Sequence, residues 1–164
     1  MAKYQSPYLK NALIDNAVAL VTSSHGERHN VMTAIFFAES SHLPVLLRVA
    51  IAPSTLTHDF ISATGWFALS VLGHGQERLA LDCGTASGRD VAKMERGGMP
   101  WEAGQHGVPL LRNCLTTSEC RVFERIDLPE HTLFVGEIAR SFRQSVHAYR
   151  RALLLSDLVN YLGD

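Results

Sequence analysis

Two polar clusters and one histidine are the places where this chain could do chemistry. The run Ala52-Pro53-Ser54-Thr55-Leu56-Thr57 sets the hydroxyls of Ser54, Thr55 and Thr57 at the start of a predicted helix. The first N–H groups of a helix have no partner inside it, and its dipole favours negative charge there, so this turn suits a phosphate. Plain N-capping by Ser54 or Thr55 explains the same residues. The turn lacks a cation. The second cluster, Ser87-Gly88-Arg89 with Lys93, could supply one, because Gly88 permits a tight turn and Arg89 or Lys93 carries charge. A solvated surface turn is the competing reading. His131 follows Pro129-Glu130 at the head of a predicted strand. A neutral imidazole there can donate or accept a hydrogen bond, and a satisfied histidine opening a strand is the alternative.

Metal chemistry finds no support. The other seven histidines, at 25, 29, 42, 58, 74, 106 and 147, are scattered. His25 and His29 share a four-residue spacing, but they flank Gly26 in a predicted hairpin turn rather than lying on a helix. Cys83, Cys114 and Cys120 show no Cys-x-x-Cys spacing, so they are expected to be reduced and to fill gaps in the core. A glycine-rich dinucleotide fingerprint and a phosphate loop are both missing, so a nucleotide would need another device to hold it.

The elements that must position these groups fit one domain over residues 1–164, since domains usually run to roughly 100–200 residues. Hydrophobic residues are 46% and charged residues 19%, which excludes a disordered chain. The 15 basic and 16 acidic residues give no field for nucleic acid. No apolar window is long enough to span a bilayer, and the chain is read as soluble and cytoplasmic.

Ala17 to Thr22, Val31 to Phe37 and Val45 to Ile51 read as strands, and Ser54 to Thr64 as a helix stopped by Gly65. Trp66 to Leu72 returns to a strand, and Gln76 to Asp82 reads as a short helix ended by Gly84. Gly97 to Pro109, with its glycines and prolines, reads as a long irregular loop. Strands resume at Ser118 to Ile126 and Thr132 to Ala139, and the leucines of Arg151 to Tyr161 make an amphipathic helix. Without regular βαβ alternation, this order predicts a mainly β protein, a β-barrel with inserted helices.

In sequence order, Ala17-Val-Ala-Leu-Val-Thr22, Asn30-Val-Met-Thr-Ala34, Pro44-Val-Leu-Leu-Arg-Val-Ala-Ile-Ala-Pro-Ser-Thr-Leu-Thr57, Ser87-Gly-Arg-Asp-Val-Ala-Lys93 and Glu130-His-Thr-Leu-Phe-Val-Gly-Glu137 resemble the flavin reductase-like family. Each string is ordinary, and their order and spacing carry the likeness. The resemblance implies an FMN-binding split barrel, Greek-key related, that works as a homodimer. It implies FMN, with FAD possible, and NAD(P)H as hydride donor, with a monooxygenase or another acceptor taking the electrons.

By the same resemblance, the flavin ring lies along Met32, Thr33, Ala34 and Ile35. Its phosphate lies at Ala52, Ser54, Thr55 and Thr57, with Ser87, Arg89 and Lys93 nearby. His131 stands where many relatives carry a Gly-Asp-His motif close to the nicotinamide or flavin. Here the glycine is replaced by Pro129, and the tail His147-Ala-Tyr-Arg-Arg151 departs from the Tyr- and Arg-rich closing strand of relatives. An NAD(P)H-dependent flavin reductase is the first expectation. An electron-transfer flavoprotein of flavoredoxin type is the second, and a haem-binding split barrel the third.

Overall fold

A computed structural model describes residues 13–143 and 151–163. Apolar and β-branched runs, buried almost throughout in the central strands, build its seven main strands. These are β1 (Ala19–His25), β2 (Arg28–Ala34), β3 (Phe37–His42), β4 (Val45–Ile51), β5 (Trp66–Val71), β8 (Thr116–Asp127) and β9 (Thr132–Arg143). They form one antiparallel sheet in the order β2-β1-β5-β8-β9-β4-β3. β3 follows β2 directly in the chain yet lies at the opposite edge. The sheet therefore curls on itself, and the connection from β4 through helix α1 (Leu56–Thr64) carries the chain back so that β5 lies beside β1. That return is the Greek-key feature of the wall.

Side chains from around the curl meet in one interior. Ala19 and Val21 of β1, Ala34 of β2, Val49 and Ile51 of β4, Phe67 and Leu69 of β5, Cys120 of β8 and Phe134 of β9 share one buried cluster, capped by Ile61 of α1. A second cluster lies on the other face of β1 and β2. There Leu20 and Val31 pack against Ala80 and Cys83 of helix α2 (Glu77–Thr85), Met94 of the short helix α3 (Lys93–Arg96), and Leu153 and Leu158 around helix α4 (Leu155–Gly163). The β-branched residues of each strand thus serve two layers: barrel interior and helical cover.

Several expected elements shift. The run Val31 to Phe37 is not one strand: β2 stops at Ala34 and β3 starts at Phe37, because the chain turns there from one sheet edge to the other. Gly84 lies inside α2 rather than ending it, and a Cβ there would come within 3.2 Å of Thr33. The expected loop Gly97 to Pro109 holds β6 (Trp101–Ala103), a 3-10 turn (Gln105–Gly107) and the start of β7 (Pro109–Leu111), with β6 and β7 paired. Buried partners outweigh its glycines: Thr22 Oγ1 donates to Pro109 O at 2.5 Å, and Ser24 Oγ to His106 O at 2.6 Å. Gly65 does close α1, in the left-handed region at φ 73°. Of the C-terminal leucines, Leu155 and Leu158 are buried and Leu162 is exposed. Residues 147–150 of the divergent tail lie outside the described residues.

All three cysteines are free and buried, as expected of core fillers. Burial pushes the Cys83 thiol up to about 11 and those of Cys114 and Cys120 to about 12, so none is a ready nucleophile. Among the described residues no helix is long and apolar enough to cross a membrane.

Gly136 marks the tightest point of the barrel interior. A Cβ there would lie 2.7 Å from Cys120 Cβ and 2.7 Å from Phe67 Cζ. Gly136→Ala is expected to destabilise the fold by about 1–3 kcal/mol, the usual cost of overpacking a filled core. Urea unfolding should show a lower midpoint at the same slope, and an unchanged midpoint would contradict this packing.

Candidate functional site

β2 ends the sheet on one side, so its backbone edge is open to whatever lies beside it. The first turn of α1 and the segment after α2 close over that edge and leave a cavity of about 300 Å³. Its walls bring together Met32 and Thr33 of β2, Ser54, Thr55 and Thr57 of the α1 turn, and Ser87 and Lys93 of the second cluster. Residues separated widely in the chain thus share one space, and seven of the predicted site residues are among them.

The hydroxyls there have different duties. Thr55 is the N-cap of α1: its Oγ1 accepts from His58 N at 3.2 Å and donates to Ala52 O at 2.9 Å. Capping therefore accounts for Thr55 and for the part Ala52 plays. Thr57 is fully buried, and its Oγ1 accepts from Asn30 Nδ2 at 2.8 Å, which leaves its proton to donate elsewhere. Ser54 is exposed at the turn, with its carbonyl facing Arg89. Ser87 Oγ accepts from Arg89 N at 3.1 Å. Thr33 Oγ1 donates to Ala80 O at 2.6 Å, so its proton is committed to α2 and only its lone pairs face the cavity.

Two cations stand at this site. Lys93 is 7% exposed, and its ammonium donates to Cys83 O at 2.9 Å and Ala86 O at 3.0 Å, leaving one N–H. Burial lowers its pKa from the ordinary lysine value, a penalty that an anion in the cavity would offset. Arg89 lies over the α1 turn, held by Asp59 at 2.7 Å and by Ser54 O at 3.3 Å. Gly88 is required where it stands, because a Cβ would run into the Asn30 side chain.

Five predicted residues do not line the cavity, Arg89 over the α1 turn among them. Ala34 points into the barrel interior, 6% exposed, and Ile35 packs on the cluster beneath α2. Ala52 acts only through its carbonyl. His131 sits at the head of β9, its ring edge-on to Phe36 at 5.7 Å, so it meets the end of the β2 segment rather than the anion cavity.

Sequence reasoning missed three contributors. Asn30 is a buried polar residue on an edge strand, which period alone reads as ordinary strand. Asp59, exposed in the first turn of α1, holds Arg89. His58 was set aside as scattered. Its Nε2 lies 3.0 Å from Thr132 Oγ1, which itself donates to Asp127 Oδ1 at 3.0 Å, so His58 Nε2 carries a proton and is the donor in this contact. Desolvation, then Arg125, lower its pKa, against the opposing pull of Asp59 and Asp127. No group of residues among those described has the make-up of a metal site.

The model of the flavin reductase like domain matches residues 11–156. An uncharacterised protein of Archaeoglobus fulgidus is 38% identical over 113 residues, 68% of this chain and 64% of its own, so the chain spans less than two thirds of that relative. The NADH-using FMN reductase SmoA of Agrobacterium fabrum is 32% identical over 134 residues, 80% of this chain and 74% of its own. Among solved structures, the NADH:FAD oxidoreductase SgcE6 of Streptomyces globisporus superposes with a TM-score of 0.77 at 26% identity, covering 88% of this chain and 84% of its own.

A lowered folded pKa means that the unfolded chain binds a proton on His58 that the folded chain refuses. Stability from neutral His58 is therefore present above the ordinary pKa of about 6.5 and is lost as pH falls below it. His58→Gln keeps a donor toward Thr132 but cannot titrate, so its unfolding midpoint should depend less on pH between about 6.5 and 5 than that of the wild type. Parallel pH profiles would contradict this assignment.

Proposed function

The chain belongs to the flavin reductase-like family, and from that premise we propose that it binds FMN in the cavity beside β2 and reduces it with NAD(P)H. The observation that carries this reading is the meeting of a buried ammonium, Lys93, with a buried hydroxyl, Thr57, whose proton is free at the N-terminus of α1. Dianionic phosphate matches that donor set: a helix N-terminus, hydroxyls and cations. The residues present therefore fit the phosphate end of the cofactor.

When bound, the flavin supplies the two-electron redox chemistry. This chain's part is to hold and orient it. Thr57, Ser54 and the α1 N–H groups receive the phosphate, with Lys93 behind and Arg89 above, while Met32 and Thr33 give the ring an edge-strand bed. Thr33 is fixed from behind by Ala80, so the bed is rigid before any ligand arrives. His131 meets Phe36, two residues beyond Ala34, and in this reading it donates a hydrogen bond to the nicotinamide carboxamide.

A homodimer belongs to the same reading. Phe36, Ile126 and Leu128 are 44%, 41% and 46% exposed. Backbone pairing joins them: Ile126 lies opposite Leu133, Leu133 opposite Ala50, Ala50 N donates to Phe36 O, and Leu128 N to His131 O. That apolar strip is the surface proposed to face a second copy, with His131 at its border. Reduced flavin then passes its electrons to a monooxygenase or another acceptor.

An electron-transfer flavoprotein without nicotinamide turnover is the second reading. It is favoured by Pro129, which replaces the glycine of the family motif beside His131.

Steady-state oxidation of NADH or NADPH with added FMN should exceed that of heat-inactivated protein, and FMN binding without such turnover would select the second reading. Thr57→Ala should weaken FMN binding by about 0.5–1.5 kcal/mol, the net value of one hydrogen bond, measured by flavin fluorescence titration. An unchanged affinity removes Thr57 from the phosphate site.

A further inference from the structure

His131 stands one position before Thr132, and Thr132 ties the turn between β8 and β9 to helix α1. Thr132 is 1% exposed. Its hydroxyl accepts from His58 Nε2 at 3.0 Å and donates to Asp127 Oδ1 at 3.0 Å, so its proton is committed and its position is fixed from two sides. Asp127 and Thr132 form the pair of β8 and β9 next to the turn, and Leu128 N donates to His131 O at 2.8 Å inside it. Arg125 adds an outer tie, donating from Nε to Asp127 Oδ1 at 3.1 Å and from its guanidinium end to Ser62 Oγ at 3.3 Å. His58 and Ser62 stand at i and i+4, on one face of α1. Helix α1 therefore grips the β8–β9 turn twice, once inside the protein and once at its surface.

These two elements carry different ends of the proposed reaction. The start of α1 presents Thr57 to the phosphate cavity, and the β8–β9 turn presents His131. A turn at the end of two strands flexes more readily than the strands that lead to it. The contact from His58 to Thr132 spans 74 positions of the chain and refers the turn to the helix start directly. We propose that Thr132 is a positioning residue for the reaction with NAD(P)H: through the chain His58–Thr132–Asp127 it places His131 relative to the helix start that receives the FMN phosphate. The inference rests on the proposed function, and within it on the role given to His131. A buried threonine that merely satisfies its polar neighbours would support the fold equally with or without the His131 imidazole, and that difference can be measured.

The test measures kcat/KM for NADH and the affinity for FMN in Thr132→Val, Thr132→Ser and Asp127→Ala, each made in the wild type and in His131→Ala. Thr132→Val keeps the branched shape and deletes both hydrogen bonds, which leaves His58 without its partner and costs stability. Asp127 has a side chain 71% exposed, so Asp127→Ala loosens the same turn from the surface and spares the core. It decides the question alone if Thr132→Val does not fold. In the wild-type background kcat/KM should fall about tenfold in Thr132→Val and several-fold in Asp127→Ala, since small misplacements of a positioning group cost that much or more. Thr132→Ser, which keeps the hydroxyl, should match the wild type. FMN affinity should stay within about twofold throughout, because Asn30, Arg89 and the Thr55 cap still hold the α1 turn. In His131→Ala neither Thr132→Val nor Asp127→Ala should lower kcat/KM further, for no imidazole is left to place. Wild-type kinetics in either variant, an equal loss in both backgrounds, or a loss of FMN affinity that matches the kinetic loss overturns the inference and leaves the role of His131 standing. If His131→Ala by itself leaves kcat/KM unchanged, or the wild type oxidises no NADH or NADPH with FMN, that role falls and takes this inference with it.

Discussion

Three consecutive residues in the first turn of α1 bind that turn to three other parts of the molecule. Thr57 accepts from Asn30 on β2, His58 donates to Thr132 at the head of β9, and Asp59 pairs with Arg89 after α2. A helix start is ordinarily the most frayed part of a helix, with N–H groups that seek partners from outside. Here it is fixed from three sides, while Thr55 caps it locally. The N–H groups and hydroxyls of the turn are thereby held in place with their remaining bonding capacity directed at one cavity. Preorganisation of this kind lowers the ordering cost of binding.

The barrel explains why those partners are available. Curling the sheet leaves β2 as an edge and brings β9 beside β4, so the helix that links β4 to β5 must cross the end of the barrel. Crossing there, α1 meets β2 and the start of β9 at once, and Ile61 closes the interior beneath it. The fold thus supplies an anion-binding helix start next to an unpaired strand edge. No glycine-rich dinucleotide loop is needed.

Much of this was legible in the residues. Hydrophobic period and turn residues located β4, α1 and β5 closely, because the pattern changes period at Pro53 and again at Gly65. The hydroxyl-rich turn and the Ser87 to Lys93 cluster were visible as chemistry, although nothing in their spacing said that they share a cavity. That juxtaposition depends on the long-range pairing of β1 with both β2 and β5, which local pattern does not encode. The family resemblance supplied the link that spacing could not.

What was not legible came from side chains with two possible partners. Arg89 read as a free phosphate ligand, and the structure engages it with Asp59. Thr33 read as part of the bed for the ring, and the proton of its hydroxyl goes to Ala80 O. Ala34 read as a flavin neighbour because it lies in the right segment, but the two-residue period of a strand turns it into the barrel. His58 carried no mark in the sequence, since its partners Thr132 and Asp127 lie far along the chain. The most direct test of the account is a crystal structure of the protein soaked with FMN. Phosphate oxygens should lie within hydrogen-bond distance of Thr57 Oγ1 and Lys93 Nζ, with the ring along β2. Flavin density resting elsewhere, with that cavity empty, would contradict it.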